Sequence, residues 1–141
     1  DRLNTTQLYE IIRARELVFV QEQKICYVDC DFLDFKAYHL IGYQDSELAA
    51  YTRVFEPNVK FPDHACFGRV LTTPKFRGQG LGKKLIQEVC RQINESFSNP
   101  PIKISAQEYL QTFYESFGFQ KIGNSYIEEG IPHILMVRGK N

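Results

Sequence analysis

The sequence predicts an α/β (α+β) domain with a mixed sheet. Two segments, 5–19 and 81–97, carry apolar residues at helical spacing. Six shorter runs are rich in aliphatic and aromatic residues and are bounded by Gly, Pro, Asp or Asn, as strands are. Helices and strands also alternate along the chain, which packs helices against a sheet rather than against one another. The 141 residues are read as one domain, 1–141, long enough to bury a core without disulfides or metal.

The first helix is predicted over about 5–19, with Thr5 or Thr6 as N-cap and Leu8, Ile11, Ile12, Arg15 and Phe19 on one face. Residues 20–36 read as irregular, acidic and aromatic. "YHLIGYQ" and "LAAYTRVFE" flank "DSE" and predict a hairpin. "ACFGRVLTTP" is a strand closed by Pro74. Leu81, Leu85, Val89, Ile93 and Phe97 then recur every fourth residue as a long amphipathic helix that "SNPP" ends. "IKISAQ" is a strand. "YLQTFYESF" is a helix with Gly118 as its C-cap. "FQKIGNSYIEEGIPHILMVR" gives two final strands around "EEG".

Composition narrows the function. Lys+Arg and Asp+Glu are both 17, so no global field favours nucleic acid or an anionic membrane. Apolar residues make up 43% of a chain without a long apolar run. Cys26, Cys30, Cys66 and Cys90 form no tight disulfide framework, and no signal peptide is evident, so a reduced, cytoplasmic protein is expected. Cys26-x₃-Cys30 with His39 fits no standard zinc spacing, and Asp29, Asp31 and Asp34 fail the calcium-loop pattern because Asp34 stands where glycine is required. No metal is expected. The acidic segment reads as a rim that would favour a cationic substrate, and Arg15 as a residue that could line the cleft beneath it.

The informative stretch is "KFRGQGLGKK", Lys75 to Lys84, between a strand and a helix. Alternating glycines let a ligand approach the backbone. The helix start offers free N–H groups and a positive dipole end, which suits a phosphate or pyrophosphate. The spacing rejects a Walker A loop, since Arg77 stands at the first glycine position and Ser/Thr is missing after Lys83. It also rejects the dinucleotide fingerprint, since Gly80 and Gly82 are two apart. The plain alternative is a turn that only joins strand to helix.

Arg77-Gly78-Gln79-Gly80-Leu81-Gly82 resembles the Arg/Gln-x-x-Gly-x-Gly/Ala signature of the GNAT (Gcn5-related N-acetyltransferase) superfamily. "FYESFGF", Phe113 to Phe119, resembles its second signature, Tyr-x-x-x-Gly-Phe. "VFVQEQ", "SAQEYLQTFYESFGF" and "EEGIPHILM" are similar to the ElaA-like branch of small bacterial GNAT proteins. The resemblance implies a mostly antiparallel central sheet flanked by helices, with strands splayed at an acetyl-CoA site. It also implies transfer of an acetyl group from acetyl-CoA to an amine of a small molecule or peptide, and leaves a homodimer open. Such sequences usually open with a strand, which is expected either to precede this chain or to have residues 1–3 as its stub.

Carried over by position, the resemblance gives Val70, Leu71 and Thr72 as backbone partners of the pantetheine arm. Arg77, Gly78, Gln79, Gly80, Leu81, Gly82 and Lys83 cradle the pyrophosphate. Gln107 takes the place of an asparagine near the arm. A backbone N–H at Leu71 or its neighbour faces the oxyanion. Tyr114 is the general acid, whose phenol, ordinarily near pKa 10, is protonated at neutral pH. A lysine-like amine is neutral only about four times in 10⁴ at pH 7, a penalty near 4.6 kcal/mol, so a base is wanted. The candidates are Glu22, Glu56, Glu108, His39 and His133, with His133 ranked first. Two rivals stand beside this reading: an acyl-CoA-binding module that has lost transfer, and an interaction domain with an ordinary turn at residues 78–82.

Overall fold

The computed structural model describes residues 2–139. Helix α1 runs Thr5–Arg15 and is capped by Asn4 rather than by Thr5 or Thr6. Asn4 Oδ1 accepts from the Gln7 N–H at 2.8 Å while the Gln7 side chain accepts from the Asn4 N–H at 3.0 Å, a reciprocal capping box. Residue 1 lies outside the described residues, and Arg2 and Leu3 form no strand, so the expected stub is not present in them; Leu3 packs against the α1-side core instead. The predicted helix continues past Arg15, but Glu16–Glu22 has π geometry. Ile25 N–H reaches the Val20 carbonyl at 3.1 Å. Such a widened turn is rare and is often found at functional sites.

Strands β1 (Tyr38–Gln44) and β2 (Glu47–Phe55) form the predicted hairpin. Asp45 and Ser46 both have positive φ, the two-residue turn that matches strand twist. Strand β3 (Cys66–Thr72) completes a sheet in the order β1-β2-β3. After the glycine loop come α2 (Leu81–Ser96), β4 (Ile102–Gln107), a short α3 (Gln111–Glu115), β5 (Gln120–Glu128) and β6 (Ile131–Arg138). The last three strands form a second sheet in the order β4-β6-β5.

Every strand pair inside the two sheets is antiparallel. The parallel element is the single bridge Ala65↔Ile102, held by Ala65 N–H to the Pro101 carbonyl (3.0 Å) and Lys103 N–H to the Ala65 carbonyl (2.9 Å). With α2 as the crossover, β3 and β4 form a βαβ unit whose strands touch only at their beginnings.

Ile86, Val89, Cys90 and Ile93 of α2 are buried against Val54, Phe67, Ile104, Ile134 and Met136, and Leu85 is buried as well. Each such aliphatic contributes about 1.5–3 kcal/mol on burial. On the opposite face Ile11, Ala14 and Val18 pack on Leu48, Tyr51 and Leu71. The first sheet thus has α1 on one face and α2 on the other, α2 also covers one face of the second sheet, and α2 starts beside the gap between β3 and β4.

Candidate active site

The gap is made by edges. Strand β3 is the edge of one sheet and β4 the edge of the other, and beyond Ala65 and Lys103 neither bonds the other. An edge strand leaves alternate N–H and C=O groups unpaired. Here two such edges diverge from a common origin and line a V-shaped cleft.

A bulge bends the β3 wall. Tyr51 opposes Leu71 and Arg53 opposes Gly68, so Arg69 and Val70 together face Thr52. Arg69 has φ +51°, a left-handed conformation that costs an L-residue roughly 1–2 kcal/mol. The buried Thr52 hydroxyl donates to the Gly68 carbonyl at 2.8 Å and satisfies a group that the bulge displaces. Past the bulge the alternation resets: Val70 packs on the α2 side and Leu71 on the α1 side. Val70, Leu71 and Thr72 are therefore where the β3 edge turns from β4.

The loop after β3 leads straight to the start of α2. Gly78 and Gly80 have φ +77° and +76°, which favours glycine at both positions, and Gly80 is the N-cap with no side-chain cap. The first N–H groups of α2 therefore face out with the positive end of the helix. Gln79 accepts from Gln44 Nε2 at 2.8 Å, and Lys75 pairs with Glu47 at 2.9 Å, so the β1–β2 turn braces the loop. Arg77 is engaged: its Nε donates to the Thr72 carbonyl at 3.2 Å and its Nη1 meets Glu22 at 2.8 Å. Lys83 and Lys84 are exposed and stand outside both ion pairs. Leu81 and Gly82 are half-buried, and a Cβ on Gly82 would meet Phe113 Cζ at 4.0 Å, so α2 starts against α3.

Tyr114 lies beneath the apex of the V. Its ring is 6.4 Å from that of Phe67, two residues past the β3–β4 bridge, and 6.0 Å from that of Phe119. The residue is 4% exposed, and burial pushes its phenol well above the usual tyrosine range. Among the described residues no group hydrogen-bonds the hydroxyl. Phe113 and Phe117 are core-facing partners of this cluster.

Gln107 and His133 oppose each other across β4 and β6. His133 alternates with Ile134, which is in the α2-side core, so His133 faces the other side of the sheet. Tyr114 and His133 therefore lie on opposite faces of the second sheet. His133 Nδ1 lies 2.7 Å from the Ile131 carbonyl, an acceptor, which puts the proton on Nδ1. Nε2 then faces Glu128 Oε2 at 3.3 Å, and the ring stacks on Tyr126, whose hydroxyl meets Ser105. Gln107 Nε2 approaches Gln23 Oε1 at 3.5 Å, at the end of the widened turn.

Two expectations change here. Arg15 does not line a cleft: it is 1% exposed, with Nε on Asp29 Oδ2 and Nη1 on Asp34 Oδ1, both at 2.6 Å. Nor is the 29–34 segment a free acidic rim. Its three carboxylates are neutralised by three arginines, Arg15, Arg53 and Arg69. Hydrogen bonds from Arg53 hold Asp31 well below the ordinary carboxylate range; burial pushes Asp34 up, but Arg15 and Arg53 outweigh it and hold it low. The sequence shows the acids and the arginines but not that they meet.

The other base candidates are occupied or remote. Burial lowers His39, whose ring nitrogens meet the Tyr51 hydroxyl at 2.7 Å and the Asp34 carbonyl at 3.1 Å. Glu22 pairs with Arg77, Glu108 accepts from Ser125 at 2.6 Å, and Glu56 is exposed just past β2. Cys26 and Cys30 are exposed free thiols. Among the described residues no group of three or more His, Cys, Asp or Glu is arranged to hold a metal, and no helix is long and apolar enough to cross a membrane. Gln23, Ser105 and Tyr126 were not singled out from sequence; only their place in the alternation of β4 and β5, or at the end of a helix, could have marked them.

A family model described as an acetyltransferase (GNAT) domain matches residues 30–139. A UPF0039 protein of Synechocystis is 40% identical over 92% of this chain and 84% of its own length. Protein ElaA of Escherichia coli is 35% identical over 96% of this chain and 90% of its own, and its crystal structure superposes with a TM-score of 0.89 over 97% and 93%. The crystal structure of an acyl-CoA N-acyltransferase from Pseudomonas aeruginosa, 36% identical, superposes with a TM-score of 0.92 over 97% of this chain and 93% of that one.

Proposed function

The chain belongs to the GNAT acetyltransferase family, in its ElaA-like branch, and is an acyltransferase; on that premise we propose that it moves an acetyl group from acetyl-CoA to a primary amine. The observation that carries the reading is the pair of edge strands diverging from one bridge, with a bulge on one and an uncapped helix N-terminus directly after it.

The donor follows the backbone. The pantetheine arm, a chain of amides, adds to the β3 edge at residues 70–72, with Gln107 on the other wall. The pyrophosphate meets the N–H groups at residues 78–82 and the lysines at 83 and 84. Arg77 reaches it on leaving Glu22.

The amine nitrogen attacks the thioester carbonyl, and the oxygen takes the charge. A backbone N–H at Leu71 or its neighbour stabilises that oxyanion; losing one such donor typically slows a reaction about 10²–10³-fold. The C–S bond breaks and sulfur takes the Tyr114 proton. Burial keeps this phenol protonated across the working pH range, and its hydroxyl has no other acceptor to satisfy. His133, with Nδ1 fixed on Ile131, receives the amine's proton at Nε2 from the opposite face. Both substrates held in one cleft supply the proximity that the reaction needs. The protein is read as one domain, 1–141, that works in the cytoplasm.

A thermal melt with acetyl-CoA, and with ATP and NAD as controls, tests the donor. Ligand at 100 times its dissociation constant adds about 2.7 kcal/mol, a rise of roughly 5–12 °C for a domain of this size. A rise with acetyl-CoA alone is expected, followed by CoA release in a screen of primary amines. Stabilisation without CoA release for any amine would leave a binding module.

A further inference from the structure

We infer that Arg69 is a positioning residue for acyl transfer: anchored to the 29–31 segment, its side chain holds the left-handed kink that aims the β3 edge at the thioester. The inference rests on the transferase reading above and adds to it a link between a surface segment and the oxyanion donor.

Arg69 is the one residue of β3 with positive φ, and it stands in the bulge itself. Glycine is the usual occupant of such a position, and an arginine with a Cβ is an unfavourable choice unless something holds it. Something does. Nε lies 2.8 Å from Asp29 Oδ1, and Nη2 donates to the Asp29 carbonyl at 3.3 Å and lies 3.7 Å from Asp31 Oδ2. The Nε contact is an ion pair without the alignment of a hydrogen bond. The anchor is itself fixed: Asp29 is 7% exposed, takes Arg15 on its other oxygen and accepts from the Tyr27 hydroxyl at 2.5 Å. Asp31 is gripped by Arg53 through two hydrogen bonds, 2.7 and 2.8 Å. Left-handed backbone at Arg69 is the step by which β3 turns away from β4 and resets its alternation, and Val70 and Leu71 follow it directly. Strain of this kind persists only where the surroundings over-determine it, and it gathers at active sites.

The test compares Arg69→Ala with Arg69→Gly. Neither variant has the anchor, but only alanine still meets the left-handed penalty. With acetyl-CoA as donor and whichever amine the screen identifies, Arg69→Ala is expected to lower kcat about 10²-fold, the size of a lost oxyanion donor. Arg69→Gly is expected to recover most of that rate. Amide exchange at residues 70–72 of the ligand-free protein, followed by NMR, should quicken in the alanine variant and stay near wild type in the glycine variant. Glycine as slow as alanine, or equal exchange in all three proteins, overturns the inference. The exchange measurement keeps the two readings apart: a wild type that never turns over counts against the transferase, while exchange still decides the role of Arg69. If Arg69→Ala does not fold, Arg69→Lys serves in its place. Lysine keeps a charge but loses the planar fork, and its residues 70–72 should exchange at a rate between wild type and a free edge; wild-type exchange in the lysine variant with slowed exchange in the glycine one would also overturn the inference.

Discussion

The two ends of the cleft are built from different materials. On the reading proposed above, the donor end is backbone: a strand edge, two glycines in the left-handed region and an uncapped helix start, with side chains only at its rim. On the same reading the acceptor end is side chain: His133 stacked on Tyr126 and paired with Glu128, with three arginines locked to three aspartates in the 29–34 segment. A backbone site recognises what all acyl-CoA donors share. A side-chain site can be rebuilt residue by residue, so substrate choice within one fold can change there without disturbing the donor.

The sharpest way to break that contrast is at Gly80. A Cβ there meets nothing within 4 Å, so any effect comes from φ +76° and charge rather than from a clash. Gly80→Glu should weaken acetyl-CoA binding about 100-fold or more, combining left-handed strain with a carboxylate at the proposed diphosphate position. Gly80→Ala carries the strain alone and should lose about fivefold. Calorimetric titration of both variants separates the two contributions; unchanged affinity in the glutamate variant would make the loop a plain turn.

Tyr114→Phe tests whether the side-chain half of the chemistry is separable from donor binding. It should lower kcat about 10²-fold and leave acetyl-CoA affinity and the melting temperature nearly unchanged, because the hydroxyl has no partner to lose among the described residues. Since burial raises the phenol, wild-type kcat should show no falling limb from Tyr114 between pH 6 and about 9. An unaltered rate in the phenylalanine variant would remove Tyr114 from the mechanism.

This division also explains what was legible in the sequence. Glycine spacing, strand-then-helix order and the six strands could be read because they are local, and the structure places them within a residue or two. "IKISAQ" is β4 to the residue. The Arg15–Asp29–Asp34–Arg53–Asp31–Arg69 network could not be read, because its partners lie up to 40 residues apart and nothing in periodicity pairs them. Arg15 looked like a cleft residue because it falls on the apolar spacing of α1, and that spacing buries it against carboxylates rather than in a cleft. The bulge at Arg69 was invisible for a related reason: "FGRVL" reads as plain strand, and the glycine beside it is not the residue with positive φ.

The network makes the acceptor end sensitive to acid in a way that the donor end is not. Asp31 and Asp34 have folded-state pKa values held below the unfolded value of about 3.9. Their contribution is therefore complete above that value and is lost as pH falls through the folded values. Asp31→Asn should cost about 1–3 kcal/mol at pH 7, allowing for the partial exposure of Asp31, and should flatten the decline of stability below pH 4. Urea unfolding at pH 7 and pH 3.5 checks both; a variant with the wild-type slope in acid would mean that other carboxylates set it.

The smallest expected effect lies where the two ends touch. Glu22 closes the widened helical turn of the acceptor side, and its carboxylate takes Arg77 of the donor loop at 2.8 Å. Both side chains are about 40% exposed, so the pair is worth roughly 0–1 kcal/mol. That is small for stability but comparable to one rim contact with a diphosphate. Because Arg77 cannot serve both anions with the same fork, the pair works against donor binding. Glu22→Gln should therefore tighten acetyl-CoA by up to about fivefold, and by less as salt is raised. Adding Arg77→Ala should erase the effect of Glu22→Gln, since only the arginine connects that carboxylate to the donor. If Glu22→Gln instead weakens the donor, Glu22 is holding Arg77 in its productive place, and the two ends of the cleft are coupled rather than independent.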